Sequence, residues 1–243
     1  MTIPPSPERR LFNIFAPSVA YVAVENDKGE RNIGTCFHIG ENVFITARHM
    51  VENYTITKIA TTVGSIDISF GSYIPRETSR IEGLFFHPNP NYDLAALKLS
   101  ELSGPQVPPL PVPEIQPDHE LLLRPVVVMG YPPIPGSKSP VLFCATGEVN
   151  ASFVTYFDDQ RILIISCMAR GGFSGGPVFT PPHHFLGVVT RSVLKISQPE
   201  ELGFMAVVGT WPILELLNHH NIMPRYLRDE MWTPAQKQKA TNR

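Results

Sequence analysis

Short apolar runs separated by turn residues fill most of the chain, and this pattern predicts many strands. The runs are rich in β-branched and aromatic residues, and 25 prolines and 17 glycines lie mostly between them. Proline is poorly tolerated inside helices and central strands. Frequent short strands with turn signals are typical of an all-β sandwich or barrel. The predicted strands lie at about 16–24, 34–39, 43–47, 55–70 in two segments, 81–86, 92–99, 126–129, 141–145, 147–155, 161–167, 177–180, 185–191 and 203–208.

A proline-rich stretch divides these strands into two groups of similar number. Residues 102–117 contain six prolines and read as an extended connector. One helix is predicted, over Thr210–Asn218, with Pro212 in its first turn. This pattern predicts one domain at 11–110, a second at 118–222, and loose terminal arms at 1–10 and 223–243.

Composition and charge exclude several classes of partner. The 243 residues are 43% hydrophobic and 17% charged, as in soluble globular proteins. The formal net charge of −2 provides no electrostatic attraction to nucleic acid or to an anionic membrane. No run of about 18 apolar residues is present, so no membrane-spanning helix is expected.

The cysteines and the first residues favour a reducing compartment. Cys36, Cys144 and Cys167 are an odd set without metal-type spacing, and each lies in an apolar run, which predicts buried free thiols. A bridge between Cys144 and Cys167 stays open, because sequence does not place their Cβ atoms. Residues 1–5 lack the pattern of a signal peptide. We therefore expect a cytoplasmic protein, unless the chain is a fragment of a longer one.

Candidate chemistry centres on Ser174, which four glycines surround in the stretch 171–177. Glycine allows positive φ and close approach of backbone. Such a loop can expose a serine hydroxyl beside N–H groups that stabilise an oxyanion, as acyl transfer requires. Taken alone, the stretch favours a glycine turn with a structural serine, and only the two partner residues below change that.

Two further residues supply what a serine nucleophile needs. His49 stands at the end of the strand predicted at 43–47, beside small residues, and is well placed to face a cleft. Asp93 precedes an apolar strand, where an unpaired carboxylate would be costly to bury. A histidine N–H would satisfy that carboxylate.

Taken together, the sequences around His49, Asp93 and Ser174 resemble those of the chymotrypsin-like, or trypsin-like, serine peptidases, and most closely their bacterial intracellular and heat-shock-type branch. The resemblance implies an all-β fold of two six-stranded antiparallel β-barrels with a C-terminal α-helix. It also implies Ser174 as nucleophile, His49 as general base, Asp93 as the acid that orients the histidine, and the N–H groups of Gly172 and Ser174 as oxyanion hole. No metal or organic cofactor is implied.

The chain departs from this family at two positions. Phe173 replaces the acid that, in secreted members, receives the new N-terminus after activation. Activation by N-terminal insertion is therefore not expected, and the loop is ordered either permanently or by a partner. Met50 replaces a disulfide cysteine, in keeping with a reducing compartment.

The resemblance also indicates a substrate pocket, which we expect to be lined by Met168, Ala169, Thr190, Arg191, Ser192 and Gly203. None of these residues is acidic, so a preference for lysine or arginine is disfavoured. Met168 favours a small or medium apolar side chain, whereas Arg170 and Arg191 would favour an acidic one. The apolar alternative is preferred.

Two functions from different classes follow. One is an active endopeptidase that cleaves protein or peptide substrates, with or without an activating protein partner, as an effector of a bacterial stress or anti-phage system. The other is a catalytically silent fold that binds a protein.

The pairs His183–His184 and His219–His220 are expected to be surface loop residues and not metal ligands, since adjacent strand residues point to opposite faces.

Overall fold

Antiparallel strands form most of the structure, a computed structural model that describes residues 5–61, 76–77, 81–100, 121–155, 160–167, 171–182, 184–194 and 201–231. The strands are β1 (Val19–Glu25), β2 (Arg31–Gly40), β3 (Val43–Thr46), β4 (Thr55–Thr61), β5 (Arg76–Glu77), β6 (Ile81–Phe86), β7 (Ala95–Leu99), β8 (Pro125–Gly130), β9 (Phe143–Val154), β10 (Arg161–Ile165), β11 (Pro177–Thr180), β12 (His184–Leu194) and β13 (Glu201–Gly209).

The N-terminal strands form one seven-stranded sheet in the order β5-β4-β1-β2-β3-β7-β6. Its central strands β3 and β7 pair antiparallel, with Thr46 opposite Ala95. Because the two strands run antiparallel, the chain segment that follows β3 and the segment that precedes β7 lie at the same end of the sheet. Residues 102–117, expected to connect the two halves, lie outside the described part of the chain.

The C-terminal strands close into a six-stranded barrel in the order β10-β13-β12-β11-β8-β9. The sequence predicted two strands at 141–145 and 147–155, but β9 is one continuous strand. Its first half pairs with β8 and its second half with β10. The pairing changes between Glu148 and Val149, and at Gly147, close to this change, a Cβ would be 2.5 Å from the Ser166 carbonyl oxygen. One strand thus serves both neighbours in the barrel.

The two halves share a core. Phe37 and Ile39 of the first sheet belong to the same buried cluster as Val127, Met129 and Phe179 of the barrel. The predicted class, antiparallel β-barrels of the chymotrypsin type with a C-terminal helix, is confirmed. In the described residues the N-terminal sheet has the form of a half-barrel with seven strands instead of six.

The prediction of a loose N-terminal arm at 1–10 is partly wrong, because helix α1 (Pro7–Phe15) begins inside this range. The Ser6 side chain caps this helix by accepting a hydrogen bond from the Arg9 N–H at 3.3 Å. Leu11 and Phe12 are buried, and the Phe15 ring stacks on Phe179 with ring centroids 4.3 Å apart. The helix is held in place by packing on the shared core. The polar residues at its start gave no sign of this packing in the sequence.

The prediction of a loose C-terminal arm at 223–243 is also wrong for the first part of that range. Helix α2 (Thr210–His219) is the helix predicted from the sequence, and α3 (Arg225–Met231) follows it. Met223 and Leu227 are buried, and the Tyr226 hydroxyl donates to the Ile39 carbonyl at 2.6 Å. Residues 232–243 lie outside the described part. None of the helices described is long and apolar enough to cross a membrane.

All three cysteines are free. Cys36 and Cys167 are buried, as predicted, but Cys144 is exposed. It lies in the first half of β9, where most side chains are exposed, so the apolar neighbours in sequence were misleading there.

Candidate active site

His49 and Asp93 are joined by two hydrogen bonds at the end of the N-terminal sheet. His49 lies in a single 3-10 turn, Arg48–Met50, which follows β3. The His49 Nδ1 atom is 2.7 Å from Asp93 Oδ2, and the His49 backbone N–H donates to Asp93 Oδ1 at 2.8 Å. The Arg48 N–H also donates to the Asp93 carbonyl at 3.2 Å. Both the ring and the backbone of the histidine are therefore tied to the aspartate.

This pairing sets the tautomer of the histidine. A carboxylate only accepts hydrogen bonds, so Nδ1 carries the proton that faces Asp93, and Nε2 keeps its lone pair. The His49 side chain is 46% exposed, whereas Asp93 is 26% exposed. The carboxylate that a histidine N–H was expected to satisfy does have that partner, and the opposite ring nitrogen is available as a base.

Contacts from both halves hold the loop that carries Asp93. The His87 N–H donates to the Leu94 carbonyl at 3.1 Å, and the His87 ring packs on Tyr92 with centroids 4.6 Å apart. His87 is buried, and its burial lowers the pKa of the imidazole. From the barrel, the Gln160 side-chain amide donates to the Asn91 carbonyl. The Asp93 loop is thus anchored to the barrel two residues before the aspartate.

The Ser174 loop has three successive carbonyls engaged in hydrogen bonds. The Gly172 carbonyl accepts from the Thr35 hydroxyl at 2.5 Å, and the Ser174 carbonyl accepts from the Thr35 N–H at 2.9 Å. The Phe173 carbonyl accepts from the Gly176 N–H at 2.8 Å. Within the described part of the chain, the N–H groups of Gly172 and Ser174 donate to no protein acceptor.

Two glycines of this loop have conformations and surroundings that no other residue fits. Gly172 has φ +93°, and a Cβ there would lie 2.3 Å from the Tyr131 carbonyl oxygen. Gly175 has φ +85°, and a Cβ there would lie 2.0 Å from the Thr35 carbonyl oxygen and 3.0 Å from the Ala47 nitrogen. Gly175 therefore packs against a residue two positions before His49, which brings Ser174 and the His49–Asp93 pair to one junction between the sheets.

The hydrophobic residue before Ser174 anchors the loop in the barrel. The Phe173 side chain is 1% exposed and belongs to the barrel core with Val128 and Val178. Its ring meets that of Phe143 edge-on, with centroids 6.0 Å apart. A buried apolar contact thus occupies the position at which the resemblance implied an acid in secreted members.

Part of the expected substrate pocket borders this loop. The Gly175 N–H donates to the Val189 carbonyl at 2.7 Å, and the Val189 N–H donates to the Gly176 carbonyl at 2.9 Å. Thr190 is buried next along β12, Arg191 and Ser192 continue that strand, and Gly203 lies on β13 with φ +83°. The predicted lining residues Met168 and Ala169, and Arg170, lie outside the described residues.

Sequence reasoning did not identify Thr35 or Gln160, the two residues that join the halves at this junction. Thr35 is 137 positions from Gly172, and Gln160 is 69 positions from Asn91. Thr35 lies in an ordinary strand-like sequence and Gln160 directly precedes one, so no local signal marks either residue.

No cluster of three or more histidine, cysteine, aspartate or glutamate residues that could hold a metal is found in the described ranges. His184 belongs to β12 and not to a loop. His219 ends α2, and the His220 ring nitrogen Nε2 is 2.8 Å from the Phe86 carbonyl oxygen. His183, which directly precedes His184, lies outside the described residues.

Known structures share this fold. The HtrA-type protease AlgW, solved with a tripeptide, is 15% identical with a TM-score of 0.62, and the match covers 90% of this chain and 64% of that one. A serine endoprotease from Yersinia pestis is 19% identical with a TM-score of 0.60, covering 94% of this chain and 69% of that one. Rv3671c from M. tuberculosis H37Rv, solved as an inactive serine-to-alanine mutant, is 19% identical with a TM-score of 0.58. That match covers 90% of this chain and 95% of Rv3671c.

At these identities the likeness is one of fold, and the chain spans 63% and 64% of the two AlgW structures that it matches. No curated protein compared with the chain matches its sequence. The model of the trypsin-like peptidase domain family, however, matches residues 34–188, which include the segments of His49, Asp93 and Ser174. The chain belongs to the trypsin-like, or chymotrypsin-like, serine peptidase family.

Proposed function

We propose that the protein is a serine endopeptidase that hydrolyses peptide bonds through an acyl-enzyme. Ser174 Oγ attacks the carbonyl carbon of the substrate while His49 Nε2 takes the hydroxyl proton. The tetrahedral intermediate collapses, the C–N bond breaks, and His49 protonates the leaving amine. Water then attacks the ester by the same route and releases Ser174. The observation that carries this proposal is the pair of hydrogen bonds that holds His49 on Asp93 beside the Ser174 loop.

The backbone N–H groups of Gly172 and Ser174 would bind the oxyanion of the tetrahedral intermediate. The carbonyls of residues 172, 173 and 174 are engaged elsewhere, which supports an arrangement with these donors free for a ligand. Donors fixed before the reaction stabilise developing charge without reorganisation. Because that charge appears only in the transition state, they accelerate the chemical step and not merely binding.

Peptides are the proposed substrates. AlgW, which has the same fold, was solved with a tripeptide. Thr190 carries no charge and follows Val189, which is hydrogen bonded to Gly175 and Gly176, and this supports the preference for an apolar substrate side chain over an acidic one. Cleavage of a peptide library by the purified protein tests this preference, and dominant cleavage after acidic residues would contradict it.

We propose that the loop is ordered without an activating partner. Phe173 is buried in the barrel core, so loop order does not depend on a new N-terminus or a second chain. Activation by a partner, in a bacterial stress or anti-phage system, rests on the family resemblance alone. That alternative predicts turnover only when products of neighbouring genes are added.

Labelling with a fluorescent fluorophosphonate tests the proposed chemistry without knowledge of the substrate. Wild type is expected to be labelled, and Ser174→Ala and His49→Ala to lose labelling, since removing the serine or its base costs about a millionfold in turnover in triad enzymes. Ser137→Ala, which alters an exposed loop serine, is the matched control and should be labelled like wild type. A wild type that stays unlabelled with and without neighbouring gene products would identify a silent, protein-binding fold.

We also propose a cytoplasmic location, supported by the three free thiols. Reductant-free lysis of cells in an alkylating agent, followed by mass spectrometry, should find Cys36, Cys144 and Cys167 alkylated. A disulfide on any of them would argue for an oxidising compartment.

A further inference from the structure

Thr35 of β2 connects the N-terminal sheet to the Ser174 loop through its N–H and its hydroxyl, and all of its polar groups are hydrogen bonded. Its N–H donates to the Ser174 carbonyl at 2.9 Å, and its hydroxyl donates to the Gly172 carbonyl at 2.5 Å. The same hydroxyl accepts from the Tyr131 N–H at 2.9 Å, and the Thr35 carbonyl accepts from the Thr46 hydroxyl at 2.7 Å. The residue is fully buried. Bulk solvent does not reach these polar groups in the folded protein.

The direction of the Thr35 hydroxyl proton follows from its neighbours. A hydroxyl has one proton to donate and two lone pairs to accept with. Because the Tyr131 N–H fills an acceptor position, the single proton is left for the Gly172 carbonyl, which itself has no proton to offer. The hydroxyl therefore acts as a fixed donor to the loop.

These two bonds hold the peptide groups on either side of the one that carries the Ser174 N–H. The hydroxyl fixes the peptide between Gly172 and Phe173, and the Thr35 N–H fixes the peptide between Ser174 and Gly175. The intervening peptide is fixed by the bond from the Gly176 N–H to the Phe173 carbonyl. Glycine backbone rotates easily, so without these bonds the N–H groups at Gly172 and Ser174 would lose their common direction.

We propose that Thr35 is a positioning residue for the oxyanion hole, a role that rests on the proposed peptidase function. Thr35 touches no substrate atom in this mechanism. It acts through the backbone of Gly172 and Ser174, and it does so from the opposite half of the molecule. The oxyanion hole thus depends on the docking of the N-terminal sheet against the barrel.

The first test compares turnover of a peptide substrate by wild type, Thr35→Val and Thr35→Ser. Valine keeps the shape and removes the hydroxyl, so kcat should fall about 10- to 100-fold with KM changed less than about threefold, because only transition-state binding is weakened. Serine keeps the hydroxyl and should restore kcat to within about threefold of wild type. Wild-type kcat in the valine variant, or a loss confined to KM, would overturn the proposal.

Thr180→Val is the matched control for loss of a buried threonine hydroxyl. Thr180 is buried in β11 and its hydroxyl donates to the Pro125 carbonyl at 2.8 Å, away from the Ser174 loop. This variant should keep the kcat of wild type. An equal loss of kcat in Thr180→Val and Thr35→Val would show a general effect on stability and would overturn the proposal. If Thr35→Val does not fold, Thr35→Ala replaces it.

Amide hydrogen exchange separates this proposal from the peptidase function itself. In Thr35→Val the amides of Tyr131, Gly175 and Gly176, which donate hydrogen bonds at this junction, should exchange at least about tenfold faster than in wild type and in Thr35→Ser. Unchanged exchange would overturn the positioning role even in an active enzyme. If wild type neither turns over peptides nor reacts with the fluorophosphonate, the proposed function fails, whereas faster exchange would still support the hold of Thr35 on the loop.

Discussion

The two halves of the molecule hold their parts of the site by different means. In the N-terminal sheet, His49 and Asp93 meet through side-chain hydrogen bonds, and both remain partly exposed. In the barrel, the Ser174 loop is fixed by backbone bonds to buried partners and by the Phe173 side chain. A general base must present one ring nitrogen to the substrate, which a carboxylate on the other ring nitrogen allows, whereas an oxyanion hole needs N–H groups that are fixed before the reaction.

The difference extends to titratable groups. Within the described residues, the buried histidines His38 and His87 both belong to the N-terminal half. The barrel side of the junction is held by backbone amides, the Gln160 amide and the Thr35 hydroxyl, which do not titrate. Acid should therefore weaken the N-terminal half first.

The largest effect is expected from the side-chain pair. Asp93→Asn should lower kcat by about ten thousandfold, because the amide presents its N–H to His49 and favours the wrong tautomer. Asparagine keeps an oxygen that can accept the His49 backbone N–H and offers an N–H to the ring, so thermal unfolding should change little. Peptide turnover and calorimetry of the same preparation measure both. A fall of less than about tenfold would argue that Asp93 does not orient the histidine.

Gly175→Ala should destabilise the fold as well as the activity. The new Cβ would lie 2.0 Å from the Thr35 carbonyl oxygen, at a φ of +85°. Overpacking against backbone and the positive φ together cost about 3–4 kcal/mol. Urea unfolding measures this loss. Gly136→Ala is the control, since Gly136 has φ +84° with nothing within 4 Å of a Cβ, and it should cost only about 1 kcal/mol. Equal losses would show that the contact with Thr35 is unimportant.

The smallest effect is the pH dependence of stability from His38. Burial, with a smaller contribution from the Lys98 charge, lowers the pKa of His38 from 6.5 to about 4. The unfolded chain then takes up a proton near pH 6.5 and the folded chain only near pH 4. The stability from the neutral ring is complete above pH 6.5 and is lost as pH falls toward 4, by up to about 3 kcal/mol.

His38→Gln should remove much of this pH dependence. The Asn42 N–H donates to His38 Nε2 at 3.1 Å, and a glutamine oxygen can accept that bond without titrating. Urea unfolding of wild type and variant between pH 7 and 4.5 measures the difference in slope. His87, whose pKa is also lowered by burial, leaves a residual slope. Identical slopes in the two proteins would show that His38 does not carry the effect.

Much of the fold was predictable from the chain because strand and turn signals are local. The strands around 34–39, 81–86 and 177–180 and helix α2 are present close to where the apolar pattern indicated them. The errors share one cause. The helix α1, the helix α3 and the single strand β9 depend on partners from distant parts of the chain, which no local window contains.

The sequence by itself determined which residue types were available for chemistry: a histidine after a strand, an acid before another, and a serine among glycines. It also determined the family, because the three segments that carry the resemblance are each local stretches of the chain and can be recognised without the fold. Only the tertiary structure decided that the Asp93 carboxylate meets both the ring and the backbone of His49, and that Thr35 holds the Ser174 loop. The reason is physical. Hydrogen bonds across 44 positions exist only once β3 and β7 have paired in one sheet, and those across 137 positions only once the sheet and the barrel have packed on a common core.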